Sequence, residues 1–377
     1  MSQLPVLAFL FCAAAILYIL AIYPLLLAWL ARHHARPVQK GTDLKTVTVV
    51  MAVHNGERFL EAKLASILGL DYPRDLLHVL VVSDGSTDAT DSITAAHAGD
   101  GVELLRIQRA GKAAALNAGI ARASGEILLF TDVRQHLDPA CLRRLVECFA
   151  DPAVGVASGE LVILRGEKQE EEDIGLYRRY ENWIRQRLSR VDSIFGATGC
   201  LYAMRRALAQ PIPQETLLDD VVLPMAAFFR GYRLIFEQTA RAADYPTTLD
   251  TEFRRKVRTL AGNYQLIRFF PGLLGPSNRL WLHFVSYKLG RLLLPYLLLG
   301  LLISSWWLPG ASAPLALGAQ GLLYALAAVD RFIPQSLGLK RISSPVRTFV
   351  VLMLAAACAG AILFVPARTL WKENKIA

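Results

Sequence analysis

Cysteine is scarce in this 377-residue chain: Cys12, Cys141, Cys148, Cys200 and Cys358 are the whole set, with no CxxC pair and no metal-ligand spacing. A disulfide framework or a structural zinc site is therefore excluded as the organiser of the fold. Charge is thin too, at 19% of residues, against about 25% in an ordinary soluble protein. With 54% hydrophobic residues, the chain is not disordered, collagen-like or a coiled-coil array. The charge deficit is uneven, because a soluble-looking middle lies between strongly apolar ends under a mean hydropathy of +0.35. The net charge of +9 suits an anionic membrane surface or anionic substrates. The basic residues gather around the apolar segments, which argues against nucleic acid as the partner.

Leu4–Ala31 carries no charged residue and closes on Arg32-His33-His34-Ala35-Arg36. A helix that crosses a bilayer needs about 20 apolar residues, so this run predicts an anchor. A cleaved signal peptide fits less well, since a basic leading region and a small-x-small cleavage site are both missing. Three further spans are expected at Leu292–Leu308, Ala311–Val329 and Thr348–Ala367. The loop between the second and third of these holds Arg331, Lys340, Arg341 and Arg347. Basic loops stay in the cytoplasm, which places the middle of the chain there as well and the N-terminus outside. Arg368, Lys372 and Lys375 beyond the last segment count mildly against an outside tail, and a re-entrant last segment stays open.

The middle alternates strand and helix signals. Thr46–Val53 is β-branched and ends at His54-Asn55-Gly56, and His78–Val82 ends at Ser83-Asp84-Gly85-Ser86. Val102–Arg106 and Ile127–Thr131 read as two more strands, with helical spacing over Glu57–Leu70 and Lys112–Ala123. That order predicts an α/β fold with a doubly wound sheet, whose ligands lie beyond the carboxyl ends of the strands. Asn55, Glu57, Asp84, Ser86 and Asp132 all fall at those ends. Asp173–Asp192 has Tyr177, Tyr180, Ile184, Leu188 and Val191 on one face among five arginines, as either an interfacial helix or a surface helix would.

Six segments in order, AVHNGE (52–57), SDGSTD (83–88), GKAAALNAG (111–119), FTDVRQ (130–135), GATGCLYAMRR (196–206) and LDDVVLP (218–224), resemble the family 2 glycosyltransferases. The nearest group is the membrane-integrated one that includes cellulose, hyaluronan and poly-N-acetylglucosamine synthases, and the resemblance runs from about residue 46 to 265. It implies a GT-A-like doubly wound mixed sheet with flanking transmembrane helices, a nucleotide-sugar donor, inversion at the anomeric carbon, and Mg or Mn. It implies a nucleotide pocket made by Asn55, Glu57, Asp84 (the uracil contact), Ser86 and Lys112. Asp132 becomes the metal ligand and Asp220 the base that takes the acceptor proton. Asp219 suits an N-cap better, and Thr198, Gly199 and Cys200 fall near the acceptor sugar.

The chain departs from its relatives in two places. Two residues after Asp132 the usual second carboxylate is Arg134, which offers no metal ligand. It either clamps the diphosphate or pairs with Asp132. Over Glu252–Gln265, where relatives have QxxRW, Arg255 and Arg258 are kept as diphosphate contacts, but Thr259 replaces the tryptophan that borders a growing chain. Tyr264 and Trp183 are candidate replacements for that ring.

The expected organisation is an anchor over 1–41, a cytoplasmic GT-A domain over 42–253, basic interfacial helices over 254–291 and about three transmembrane helices over 292–377. The expected activity is transfer of a sugar, from a UDP-sugar first, to an envelope glycan or exopolysaccharide in the inner (cytoplasmic) membrane. The alternatives are single addition to a membrane lipid, or a non-catalytic partner subunit. The expected partners are the donor, a glycan or lipid acceptor and the bilayer, with room for other envelope-assembly proteins.

Overall fold

The computed structural model describes residues 3–164, 169–245, 249–276, 278–334 and 337–365. The chain divides into two compact units, one from residues 31–164 and 182–245 and the other from 1–30, 165–181 and 246–377.

The first unit is built on an eight-stranded sheet. In chain order its strands are β1 (Val47–Val53), β2 (Leu77–Asp84), β3 (Val102–Ile107), β4 (Ile127–Phe130), β5 (His136–Leu137), β6 (Val154–Ile163), β7 (Tyr202–Arg205) and β8 (Arg233–Asp244). Their order across the sheet is β3-β2-β1-β4-β7-β6-β8-β5. The four strands expected from sequence pair in parallel, in register Val47↔Leu77 on one side of β1 and Val47↔Ile127 on the other. Beyond them β7 runs antiparallel to both β4 and β6, so the whole sheet is mixed.

β1 is buried along nearly its whole length, as a strand covered on both faces must be. Helix Glu57–Leu68 covers one face with Leu60, Leu64 and Ile67, at helical spacing and fully buried. Helix Lys112–Arg122 packs with Ala115 and Leu116 buried. Chain order reverses at β1, with β2 and β3 on one side and β4 on the other. This is the switch point at which open α/β sheets leave a crevice beyond the strand ends.

The second unit is helical. Among the described residues, four helices are long and apolar enough to cross a membrane: Leu4–His33, Trp281–Ser305, Ser312–Phe332 and Lys340–Leu363. They overlap the four expected segments, the second ending at Ser305 rather than Leu308 and the last at Leu363; residues 366–367, with Arg368, Lys372 and Lys375, lie outside the described residues. Many large apolar side chains on these helices are exposed, among them Leu4, Phe11, Leu299, Leu315 and Leu322. Apolar surface of that extent needs an apolar environment. Within the unit the N-terminal helix packs on Gly290–Ser305, and Tyr18 shares a 2.7 Å hydrogen bond with Ser286, in the turns just before that stretch.

Candidate active site

The loops after β1 and β2 are knit together by short polar side chains. Asn55 holds a left-handed backbone (φ 50°), which an asparagine tolerates, and its Oδ1 accepts from the Thr87 N–H at 2.8 Å. The Asn55 N–H donates to Ser86 Oγ at 3.2 Å. Glu57 is tied twice, donating its N–H to Asp88 Oδ2 at 3.0 Å and accepting from the Ala89 N–H at 2.9 Å. Asn55, Glu57 and Ser86 therefore share one rim.

Asp84 lies at the end of β2 and is almost fully buried. Its carboxylate accepts from the Ala110 N–H (2.7 Å) and the Gly111 N–H (3.0 Å), and it pairs with the Arg109 guanidinium. The loop rides so close over Gly85 (φ +61°) that a Cβ there would stand 2.8 Å from the Arg109 backbone nitrogen. Asp84 thus fixes the three residues that lead into the helix opened by Lys112. His54 Nδ1 braces the same strand end through the Asp84 carbonyl at 2.8 Å.

Lys112 is the centre of the charged cluster. Its Nζ lies 2.9 Å from Asp132 Oδ1 and 3.1 Å from Asp219 Oδ2. Burial alone would lower its pKa, but the charges of Asp132, Asp219 and Asp220 outweigh that and hold the ammonium above its ordinary range. Asp219 is the first residue of helix Asp219–Phe229, with no side-chain capping bond at the N-cap, Leu218. Its carboxylate goes to Lys112, so the N-cap role expected of it is not the one it plays.

Asp220 stands beside the loop expected near the acceptor. A Cβ on Gly199 would stand 3.0 Å from Asp220 Oδ2, tighter than an ordinary contact, so a side chain there would press on that carboxylate. Thr198 is braced from behind: its N–H donates to Ser158 Oγ (2.8 Å), its hydroxyl to the Gly159 carbonyl (2.7 Å), and Arg185 donates to it at 2.9 Å. Cys200 is buried, and its carbonyl accepts from Thr131 Oγ1 at 2.8 Å. Burial first, and Asp132 next, push its thiol up to about 12, so it stays protonated as a wall residue.

Arg134 is paired with a carboxylate other than Asp132. Its guanidinium closes on the buried carboxylate of Asp244, at the end of β8, which Gln135 Nε2 also reaches at 3.0 Å. Among the described residues there is no group of three His, Cys, Asp or Glu that could hold a metal ion. Asp132, 38% exposed and paired with Lys112 through Oδ1, is the carboxylate that stands at the expected position. Arg255 and Arg258 lie on helix Leu249–Phe269 of the helical unit, as does Tyr264. The Trp183 ring is covered by the Arg187 guanidinium at 3.5 Å.

Two neighbours of the cluster escaped the sequence. Lys63 is buried on helix Glu57–Leu68, and its Nζ donates to Thr131 Oγ1 and to the Gln135 carbonyl, both at 2.7 Å. Burial lowers its pKa to about 8 against the pull of Cys200 and Asp132. Tyr202 on β7 is fully buried and stacked on Phe130, ring centroids 4.8 Å apart. Its hydroxyl has no hydrogen-bond partner among the described residues. Its pKa is raised by burial and then by Asp219, Asp220 and Asp132, which sets it beside the carboxylates. A lone tyrosine in a strand of small and apolar residues was the available signal for Tyr202. An in-stripe lysine three residues past an apolar one was the signal for Lys63.

Residues 48–212 match the family model described as Glycosyl transferase family 2. A probable glycosyltransferase of Bacillus subtilis, YdaM, is 24% identical over 60% of this chain and 57% of its own. The poly-beta-1,6-N-acetyl-D-glucosamine synthase of Staphylococcus aureus is 23% identical over 60% of this chain and 56% of its own. The chain thus spans little more than half the length of the curated relatives it matches. Among solved structures, a mannosyltransferase from Pyrobaculum calidifontis in complex with GDP-Man and Mn2+ superposes with a TM-score of 0.70. It is 24% identical, with 94% of this chain and 99% of that chain covered.

Proposed function

We propose, from the family 2 glycosyltransferase domain that residues 48–212 form on a GT-A fold, that this protein transfers a sugar from a nucleotide-sugar to an envelope glycan or exopolysaccharide. The donor is a UDP-sugar, and the four apolar helices hold the domain at the cytoplasmic face of the inner membrane. The reading is carried by one observation: Asp132 and Asp219 pair with Lys112 at the carboxyl end of the sheet, and Asp220 follows Asp219 directly.

Each part has a task. The Asn55–Glu57–Ser86 rim and Asp84 bound the nucleoside side of the crevice. Lys112, at the first turn of its helix, meets the donor diphosphate, whose charge replaces that of the carboxylates now paired with it. Asp220 takes the proton of the acceptor hydroxyl as its oxygen bonds to the anomeric carbon and the bond to the diphosphate breaks on the opposite face. Inversion needs no covalent intermediate, in keeping with a protonated Cys200. Asp132 suits Mg or Mn, because Mg is commonly held by one or two carboxylates together with substrate phosphates. Such an ion, when bound, neutralises charge on the departing diphosphate.

A second acceptor class is favoured by Thr259, which sits where polymerising relatives carry tryptophan and turns its hydroxyl onto the Arg255 carbonyl at 2.8 Å. Without that ring, single addition to a membrane lipid is the competing outcome.

The test is nucleotide release by the purified full-length protein in detergent, against a panel of UDP- and GDP-sugars with Mg or Mn. One UDP-sugar is expected to turn over. Asp220→Asn is expected to keep donor binding and lose transfer by at least 100-fold, the scale of general-base catalysis. Unchanged transfer by that variant removes Asp220 as the base. A panel that yields no release removes the enzymatic reading.

A further inference from the structure

Residues of the helical unit line a partly open cavity of about 270 Å³. Its walls are apolar: Ile19 and Leu20 from the N-terminal helix, Leu294, and a face of helix Lys340–Ala359. That face runs through Pro345, Phe349, Leu352 and Ala356, at helical spacing. Eleven residues of helix rise about 16 Å, so the lining is elongated. The volume lies just below the range of about 300–1,000 Å³ typical of small-molecule sites, which suits one hydrocarbon chain better than two.

One part of the lining differs. Lys256 and Arg291 both face the cavity and share Glu181, with Lys256 Nζ at 3.2 Å from Oε2 and the Arg291 guanidinium at 2.9 Å from Oε1. Tyr177 packs against both cations, its ring 4.3 Å from Lys256 Nζ, and Arg291 donates to the Tyr287 hydroxyl at 3.0 Å. Two cations against one carboxylate leave a net positive charge, and all three side chains are mostly withdrawn from solvent, at 12%, 22% and 24% exposure. A cavity meant only to pack helices has no use for a fixed cation at a dry wall, because an unmatched charge there is costly. An anion that arrives with an apolar tail satisfies both parts.

We propose that this cavity binds a single-chain lipid with a phosphate head, the tail against Leu294, Leu352 and Ala356 and the phosphate at Lys256 and Arg291. The chemistry is shared by isoprenoid phosphates and by single-acyl phosphates. The site is defined by residues of the helical unit alone, so it stands apart from the roles given to Lys112 and Asp220.

Photoreactive farnesyl phosphate, added to the full-length protein in nanodiscs of neutral lipid, tests it, with labelled peptides identified by mass spectrometry. Label is expected on helix Lys340–Ala359, with farnesyl phosphate competing at least tenfold better than farnesol. Lys256→Gln is expected to abolish that preference while leaving farnesol competition unchanged. Ala356→Trp, which fills the cavity, is expected to remove labelling altogether, with melting midpoints confirming that both variants fold. Stronger competition by farnesyl phosphate than by lysophosphatidic acid names an isoprenoid, and the reverse names a single-acyl lipid. Equal competition by farnesol and farnesyl phosphate in the wild type, or labelling that Ala356→Trp leaves intact, overturns the proposal. Because no readout is turnover, failure of this site and failure of the catalytic reading are seen separately.

Discussion

Replacing Arg134 by glutamine takes away the cation from a carboxylate, Asp244, that is almost wholly buried. Removing one partner of a buried ion pair costs about 3–5 kcal/mol, because the other charge stays behind. Arg134→Gln should therefore lower the melting midpoint clearly, and adding Asp244→Asn should restore most of it. If Arg134 serves the fold in this way, metal titrations of the double variant will match the wild type, and a changed Mn dependence would return it to the donor site. Tyr202 gives the opposite sign. An unpaired buried hydroxyl costs about 1–3 kcal/mol, so Tyr202→Phe should raise the midpoint of the ligand-free protein. It should also slow transfer if the hydroxyl finds its partner when donor and acceptor fill the crevice, and unchanged kinetics would show that it never does. At this scale the sequence showed which side chains gather at the strand ends but not what they touch. The donors to Asp84 come from Arg109–Gly111 and the partner of Arg134 from Asp244, on strands and loops far along the chain. Spacing does not encode pairings made by tertiary packing.

Helix Glu57–Leu68 carries a buried cation, and its stability should therefore depend on pH in a defined direction. Lys63 titrates near 8 in the folded protein and near 10.5 when unfolded. Below pH 8 both states hold the proton and the full cost of the buried charge is present. Between 8 and 10.5 the unfolded state binds more protons, so stability rises with pH, by up to about 1.4 kcal/mol per unit. Against Lys63→Met, whose helix lacks the titration, the wild type should gain in melting midpoint from pH 8 to 10. Cys141 and Cys200 feel the Lys63 charge, so both proteins carry Cys141→Ala and Cys200→Ala, and a constant gap would place the Lys63 titration outside that window. The same element scale shows why half of the sheet was legible. β1 to β4 are short apolar runs closed by turn residues, the pattern of strands buried on both faces. β6 is broken up by Gly155, Ser158 and Gly159, and β8 mixes arginines, glutamate and glutamine among its apolar residues. Each is held by its neighbours in the sheet rather than by its own periodicity, and β5 is two residues long.

For the whole molecule, hydropathy found the four long apolar helices because an apolar run of about 20 residues is itself the signal it reads. It had no means of finding the partition into units. The helical unit takes in three separate stretches of chain, and a window that slides along a line reads only neighbours. Orientation rests on the loop after the third long helix. There Asp330 is fully buried, with Lys340 Nζ at 2.9 Å and Ser343 Oγ at 2.6 Å, and Arg347 close by. Part of the loop's positive charge is thus neutralised in the folded protein. The positive-inside bias counts lysine and arginine rather than net charge, so Arg331, Lys340, Arg341 and Arg347 should still hold this loop in the cytoplasm. Single cysteines at the exposed positions Ser312 and Arg331, in a background lacking the native ones, separate the two sides. A membrane-impermeant thiol reagent should modify Ser312→Cys in intact cells and Arg331→Cys only after permeabilisation. The reverse pattern would place the sheet-bearing unit outside, away from cytoplasmic nucleotide-sugars, and the proposed donor chemistry would fail with it.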